Sequence, residues 1–338
     1  MTPLRRRRAA FAAALLSATL VLTACGGSPE ATPTNDPSPT GATSTTAPTS
    51  AAQSRTVEAD NGAIEVSADP QRVVTLGSAT VPYIDLGGEP VGATELSGFL
   101  FDKLSAEQQA AYEGATIVGT SAGEVDLEKI AGLKPDLIVM FLQQETYDAL
   151  ANQLQAIAPT VFFSLATEGT TAAAGFAEAS NKTEVFVEQK KLFEEKVATI
   201  KSTYSDLIAS TAFVNLNRWA ATEPGMFVVD NSGCAELAVS ELGITLPALA
   251  DDAPFDARSF EQLAELSQYD ALLYPVDREG QVQVDFEPVV ETNTWQALPA
   301  VQDGRALGVF CASNSSYGLA AKYLDSVEAA LATLSAQE

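Results

Sequence analysis

The chain has 338 residues, 46% of them apolar, with 19 basic residues against 44 acidic ones and no histidine. That length exceeds one typical core, and a formal charge of −25 makes nucleic acid and bare anionic membrane poor partners. Without histidine there is no Ser-His-Asp or Cys-His catalysis and no histidine ligand for zinc.

The N-terminus reads as an export signal. Arg5, Arg6, Arg7 and Arg8 precede an apolar run from Ala9 to Leu22, shorter than the roughly 20 residues that a membrane-spanning helix needs. Leu22-Thr23-Ala24-Cys25 resembles a bacterial lipobox. Residues 1–24 are therefore expected to be removed as a signal peptide and Cys25 to carry lipid, anchoring the protein at the outer face of the cell membrane. Residues 25–54, dominated by Ser, Thr, Pro, Ala and Gly, are expected to form a flexible tether. After cleavage 15 basic residues face 44 acidic ones, a formal charge of −29. Contact with the membrane then runs through the lipid alone. Cys234 and Cys311 remain as an even pair in an oxidising space, so a disulfide is expected, with two separate thiols as the alternative.

A first α/β lobe is predicted over residues 55–180. Arg72-Val-Val-Thr-Leu reads as a buried strand, followed by the loop Gly77 to Thr80 and a short helix from Val81 to Leu86. Pro90 to Ala93 gives the next strand, Ile117 to Gly119 another, Val125 to Leu133 a helix, and Asp136 to Met140 a further strand. Strands alternating with helices imply a parallel sheet covered on both faces. Gly119-Thr-Ser121-Ala-Gly123 matches the pattern of a nucleophile elbow. No histidine or Ser-x-x-Lys motif supplies a base, so Ser121 is read as a loop residue, the chain as a non-enzyme, and no metal site is expected.

Residues 181–209 predict one long helix. Val185, Phe186, Leu192, Phe193, Val197, Ile200, Tyr204, Leu207 and Ile208 form an apolar stripe, and Asn181 with Glu184 resembles a capping box. Such a helix would be about 40 Å long, a strut between the first lobe and a second one over residues 210–338.

The second lobe echoes the first. Leu127-Glu128-Lys-Ile130-Ala131-Gly-Leu133, then Asp136-Leu-Ile-Val, aligns with Phe260-Glu261-Gln-Leu263-Ala264-Glu-Leu266, then Asp270-Ala-Leu-Leu. Further strands are predicted at Ala212 to Leu216, Met226 to Val229, Leu272 to Tyr274 and Ala306 to Phe310, with helices from Cys234 to Leu242 and Leu319 to Leu334. Ligands bind beyond the carboxyl ends of such strands. Arg218 and Arg278 follow strands and are expected at a cleft, whereas Arg72 and Arg305 precede strands and should face away. Phe99, Tyr147, Trp219, Tyr274, Trp295 and Tyr317, in loops or after strands, complete the candidate ligand set together with Tyr83. For each aromatic, a place in the core is the competing reading.

The lipobox, the tether, the run from Arg72 through Val-Pro-Tyr-Ile-Asp-Leu-Gly-Gly-Glu-Pro-Val-Gly92, the segment Val118 to Ile138 and the long central helix together resemble the substrate-binding lipoproteins of ABC importers for ferric siderophores. The resemblance implies two Rossmann-like α/β lobes joined by a single long helix. It also implies a ligand held between them, little lobe movement, a monomer, and a permease with its ATPase as partners. The expected ligand is a ferric siderophore whose iron is already coordinated, with no cofactor besides. Cobalamin or haem on the same scaffold is the alternative cargo, and a secreted hydrolase or a purely structural surface lipoprotein are the rival classes. Glutamates at the positions of Glu128 and Glu261 pair with permease arginines in that family. The competing role is a carboxylate near a helix N-terminus, worth about 0.3–1 kcal/mol.

Overall fold

The computed structural model describes residues 54–120 and 123–337, without the side chain of Phe99. The signal peptide, Cys25, the tether up to residue 53 and Ser121 lie outside the described residues. Among the described residues no helix is long and apolar enough to cross a membrane.

The first lobe opens with an antiparallel hairpin, β1 (Ser54–Ala59) and β2 (Gly62–Ser67). The chain then alternates: β3 (Val73–Gly77), α1 (Thr80–Asp85), β4 (Gly92–Thr94), α2 (Gly98–Phe101), α3 (Ala106–Glu113), β5 (Thr116–Gly119) and α4 (Leu127–Leu133). It continues through β6 (Leu137–Leu142), α5 (Gln144–Ile157), β7 (Thr160–Ser164) and α6 (Gly169–Ala179). The five strands β3 to β7 form an all-parallel sheet in the order β5-β4-β3-β6-β7. Every residue of β3 and β6 is buried, as a parallel sheet covered on both faces requires. One face packs on α6 and on Val57 and Val66 of the hairpin, the other on α5 through Tyr147 and Leu154.

The long helix is α7 (Thr183–Ser210), 28 residues and therefore about 42 Å. Its cap differs from the sequence reading. Asn181 has φ 59° and closes the turn after α6, where its amide meets Asp69 and Arg55, so the helix is entered through Lys182 with no side-chain cap. Nor is the helix uninterrupted, because Tyr204 leaves helical geometry with φ −121° and ψ 16°. Ser202 and Thr203 both donate their hydroxyls to the Thr199 carbonyl just before this point, a competition that bends helices without any Gly or Pro. Phe193, Ile200, Leu207 and Ile208 seat α7 in the core of the second lobe.

That lobe comprises β8 (Phe213–Asn217), β9 (Met226–Asp230), α8 (Cys234–Ser240), β10 (Phe255–Ser259), a 3-10 segment (Phe260–Gln268) and β11 (Ala271–Pro275). Three single-turn helices, α9 (Glu287–Val290), α10 (Asn293–Gln296) and α11 (Pro299–Gln302), precede β12 (Ala306–Val309) and α12 (Tyr317–Ser335). The sheet order is β10-β9-β8-β11-β12. β8, β11 and β12 are parallel, but β9 runs antiparallel to β8 and β10 antiparallel to β9. The lobes are therefore alike only in their inner halves. The link between β8 and β9 is too short for a crossover helix and returns through Gly225 at φ 78°, which leaves antiparallel pairing as the only choice.

The sequence echo has a structural counterpart. Asp136 accepts the backbone N–H groups of Gln71 and Arg72 at 2.7 and 2.8 Å, fixing the entry to β3. Asp270 accepts the N–H of Ala212 at 2.9 Å at the entry to β8. Cys234 and Cys311 form the expected disulfide, with Cα atoms 5.9 Å apart, and it joins the start of α8 to the segment after β12.

Candidate functional site: a cavity between the lobes

The two lobes meet away from their sheets, in a small apolar seam. Val81, Leu96 and Leu104 from the first lobe pack on Phe310, Ala312 and Leu319 from the second. Beside it the Asp85 carboxylate accepts the Ser316 hydroxyl at 2.7 Å and the Gln108 amide at 3.0 Å, at the start of α12. Burial raises its pKa above the ordinary value, against the pull of these bonds and of the Gly318 and Leu319 amides. Gly318 is required here, because a Cβ would stand 2.4 Å from an Asp85 carboxylate oxygen.

In front of the seam lies a cavity of about 530 Å³. Both lobes line it, and its loops follow the carboxyl ends of β4, β11 and β12, where the rule for α/β sheets puts a ligand. From the first lobe come Asp102, Lys103 and Gln109. Ser97 caps α2 and a Ser105–Gln108 capping box starts α3, so two short helices hold the stretch between them while buried Leu104 anchors it in the seam. From the second lobe comes the turn after β11. Asp277 accepts the N–H groups of Glu279 and Gln281, and Gly280 supplies φ 81°, so Arg278 stands at the tip. Its guanidinium donates to the Lys103 carbonyl across the cavity and lies over the Phe310 ring, 5.5 Å from the centroid. Burial pulls the Lys103 ammonium down to about 8.

Of the nine residues expected to hold a ligand, Arg278 alone lines this cavity, and nothing is described for the side chain of Phe99. Arg218 does follow a strand, but its guanidinium bonds the carbonyls of Met226, Asp285 and Thr222 and so builds a loop. Trp219 packs edge-on against Phe255. Trp295 is 3% exposed, wedged against Tyr274 and Phe286 in the core, so it has no face for a ligand. Tyr274 stacks on Phe286 in the same group. Tyr147 is buried against Phe162 with its hydroxyl bonded to Asn61 and Gln155, and Tyr83 is buried under the Lys182 ammonium. Tyr317 packs on Phe186 and Phe193 of α7. Tyr83, Tyr147, Tyr274, Trp295 and Tyr317 fail because each completes a core or a joint, the competing reading, whereas Trp219 packs on half-exposed Phe255 away from the cavity.

Every other lining residue was missed, among them Asp102, Lys103, Asp277, Glu279, Asp285 and Phe310. Only Phe310 left a usable signal, as the residue following a strand. Arg72 and Arg305 stand away from the cavity, as their places before strands predict. On either side of Ser121 the Thr120 N–H donates to the Glu124 carbonyl at 2.8 Å and Gly119 bridges to Val125. Glu128 and Glu261 are exposed and sit at matching second positions of α4 and the 3-10 segment, just after the caps Asp126 and Ser259.

Residues 73–307 match the family model described as periplasmic binding protein. The chain is 25% identical over 260 residues to YhfQ of Bacillus subtilis (strain 168), a candidate ABC transporter substrate-binding lipoprotein, covering 74% of this chain and 79% of that one. The siderophore periplasmic binding protein from the fuscachelin gene cluster of Thermobifida fusca superposes with a TM-score of 0.70 at 28% identity, over 79% of this chain and 98% of the other. The iron-uptake system-binding protein FeuA of Bacillus subtilis has the same fold, with a TM-score of 0.66 at 16% identity, over 82% of this chain and all of FeuA. The two α/β lobes, the long helix between them and the match over most of the chain agree: this protein belongs to the periplasmic binding protein family.

Proposed function

We propose that the protein is the substrate-binding component of an ABC importer, capturing a ferric siderophore between its lobes and delivering it to the membrane permease and its ATPase. The observation that carries this reading is the cavity built from both lobes at the carboxyl ends of their strands. It occurs in a chain similar over 79% of its length to a siderophore-binding protein, of which the match covers 98%. Iron enters as part of the cargo, already wrapped by its chelator, so the protein supplies shape and hydrogen bonds instead of metal ligands. Export and lipidation at Cys25 would hold the folded part beside the permease, in keeping with the name of the Bacillus subtilis relative. The matched carboxylates Glu128 and Glu261, one exposed on each lobe, serve as its docking charges.

Calorimetric titration of the chain lacking residues 1–25 against ferric siderophores, haem and cobalamin tests the cargo. A ferric siderophore should bind in the micromolar range or tighter, about −8 kcal/mol. Binding of haem or cobalamin alone would overturn the reading.

A further inference from the structure

The cavity carries more negative charge than positive. Four carboxylates line it, those of Asp102, Asp277, Glu279 and Asp285, against the two cations Lys103 and Arg278. Asp277 is engaged by its own turn. The carboxylates of Asp102, Glu279 and Asp285 have no hydrogen-bond or ion-pair partner among the described residues. Both arginines expected to receive an anion are already engaged, Arg218 by three backbone carbonyls and Arg278 by the Lys103 carbonyl and the Phe310 ring. Two further features suit a cargo that brings donors and an apolar surface. The Oε1 atom of Gln283 is buried without a partner among the described residues, and Val284 at the rim is 77% exposed.

The charge of a ferric chelate follows from its binding groups. A hydroxamate brings one negative charge, so three of them neutralise Fe(III), whereas a catecholate brings two, so three leave the complex a trianion. A trianion entering a cleft with an excess of two carboxylates would be repelled at close range, where low-dielectric walls strengthen the field. A neutral complex escapes that repulsion, and one with a pendant ammonium gains from it.

We infer that the cargo is a ferric hydroxamate complex, neutral or bearing a pendant ammonium, and that the lining of the cleft rejects tris-catecholate complexes. The inference rests on the siderophore reading above and deepens it.

The test uses the chain without residues 1–25 and three probes: the ferric complex of a linear trihydroxamate with a terminal ammonium, the same complex with that amine acetylated, and a ferric tris-catecholate. Both hydroxamates should bind at least about 100-fold more tightly than the tris-catecholate, a gap of about 2.7 kcal/mol. The ammonium form should outbind the acetylated form, with the difference shrinking as salt is raised. A triple variant, D102N with E279Q and D285N, should narrow the hydroxamate–catecholate gap at least about tenfold while keeping the wild-type circular dichroism spectrum. Tris-catecholate binding as tight as that of the hydroxamates overturns the inference and leaves the siderophore reading intact. Failure of all three probes to bind removes that reading and the inference with it. An unchanged gap in a folded triple variant shows that these carboxylates do not select the cargo.

Discussion

The two lobes share a plan and secure it by different means. Each has a parallel half, β3-β6-β7 and β8-β11-β12, with an aspartate holding the entry to its first strand, β3 or β8. The segment leaving β7 is held by Asp60 of the hairpin, which accepts the Ser164 N–H at 2.8 Å and the Thr167 hydroxyl at 2.7 Å. The corresponding segment leaving β12 is held by the Cys234–Cys311 disulfide. The first lobe has a hairpin packed on one face of its sheet, and among the described residues the second lobe has no such two-stranded sheet. Each lobe presents exit loops and one exposed glutamate, Glu128 or Glu261, at a matching helix start, and what varies is the means of fixing the exits.

The equivalence of the lobes breaks first at docking. Charge reversal of Glu128 and Glu261 together should abolish uptake by cells and leave ligand affinity in vitro unchanged, since both side chains stand outside the cavity. Either single reversal should give partial loss, and normal uptake by the folded double variant would sink the docking role. Next in size is the disulfide, which closes a 77-residue separation. Its loss in a C234S, C311S variant should cost about 4 kcal/mol in urea denaturation, less any residual order in the unfolded chain. D60A, its counterpart in the first lobe, should cost only about 1.5 kcal/mol, because hydrogen bonds to a charged group are worth that much. A disulfide variant as stable as D60A would show that the covalent tie adds nothing.

The smallest effect separates the two faces of the cavity by pH. Lys103 on the first lobe loses its proton near 8, while Arg278 on the second keeps its charge throughout. Because the folded-state value lies below that of an unfolded lysine, the unfolded chain binds more protons between them. Stability should therefore rise from about pH 8 towards the ordinary lysine range. Over the same interval the lining loses one positive charge, leaving Asp102, Asp277, Glu279 and Asp285 facing Arg278 alone. Affinity for a cationic ferric complex should rise severalfold on crossing pH 8, and K103M should abolish that step. Persistence of the step in the variant would assign it elsewhere.

Much of this fold was legible where burial is continuous. The apolar run of β6 and the stripe of α7 declared themselves, and the repeated Leu/Phe-Glu helices with their following Asp marked the common halves of the lobes. β10 did not, because it lies at a sheet edge with Asp256 and Arg258 among its five residues and little periodicity to read. Nor did α6, whose Ala and Gly residues suit close packing and carry no strong stripe. The cavity was hardest. Its polar residues lie in short turns whose aim is set by tertiary contacts such as Leu104 in the seam, and no spacing in the sequence encodes that. Aromatic side chains misled for the opposite reason, since Tyr147, Tyr274 and Trp295 found partners inside the lobes.

The missing side chain at Gly318 has a practical bearing. It lets Asp85 reach the start of α12, so the lobes are joined at the seam as well as through α7. A fluorescent iron sensor made from this protein would gain little from a donor and acceptor placed one on each lobe, because their separation is pinned at two points. A single environment-sensitive dye on the Val282 to Asp285 rim, where a cargo would displace water, is the better reporter.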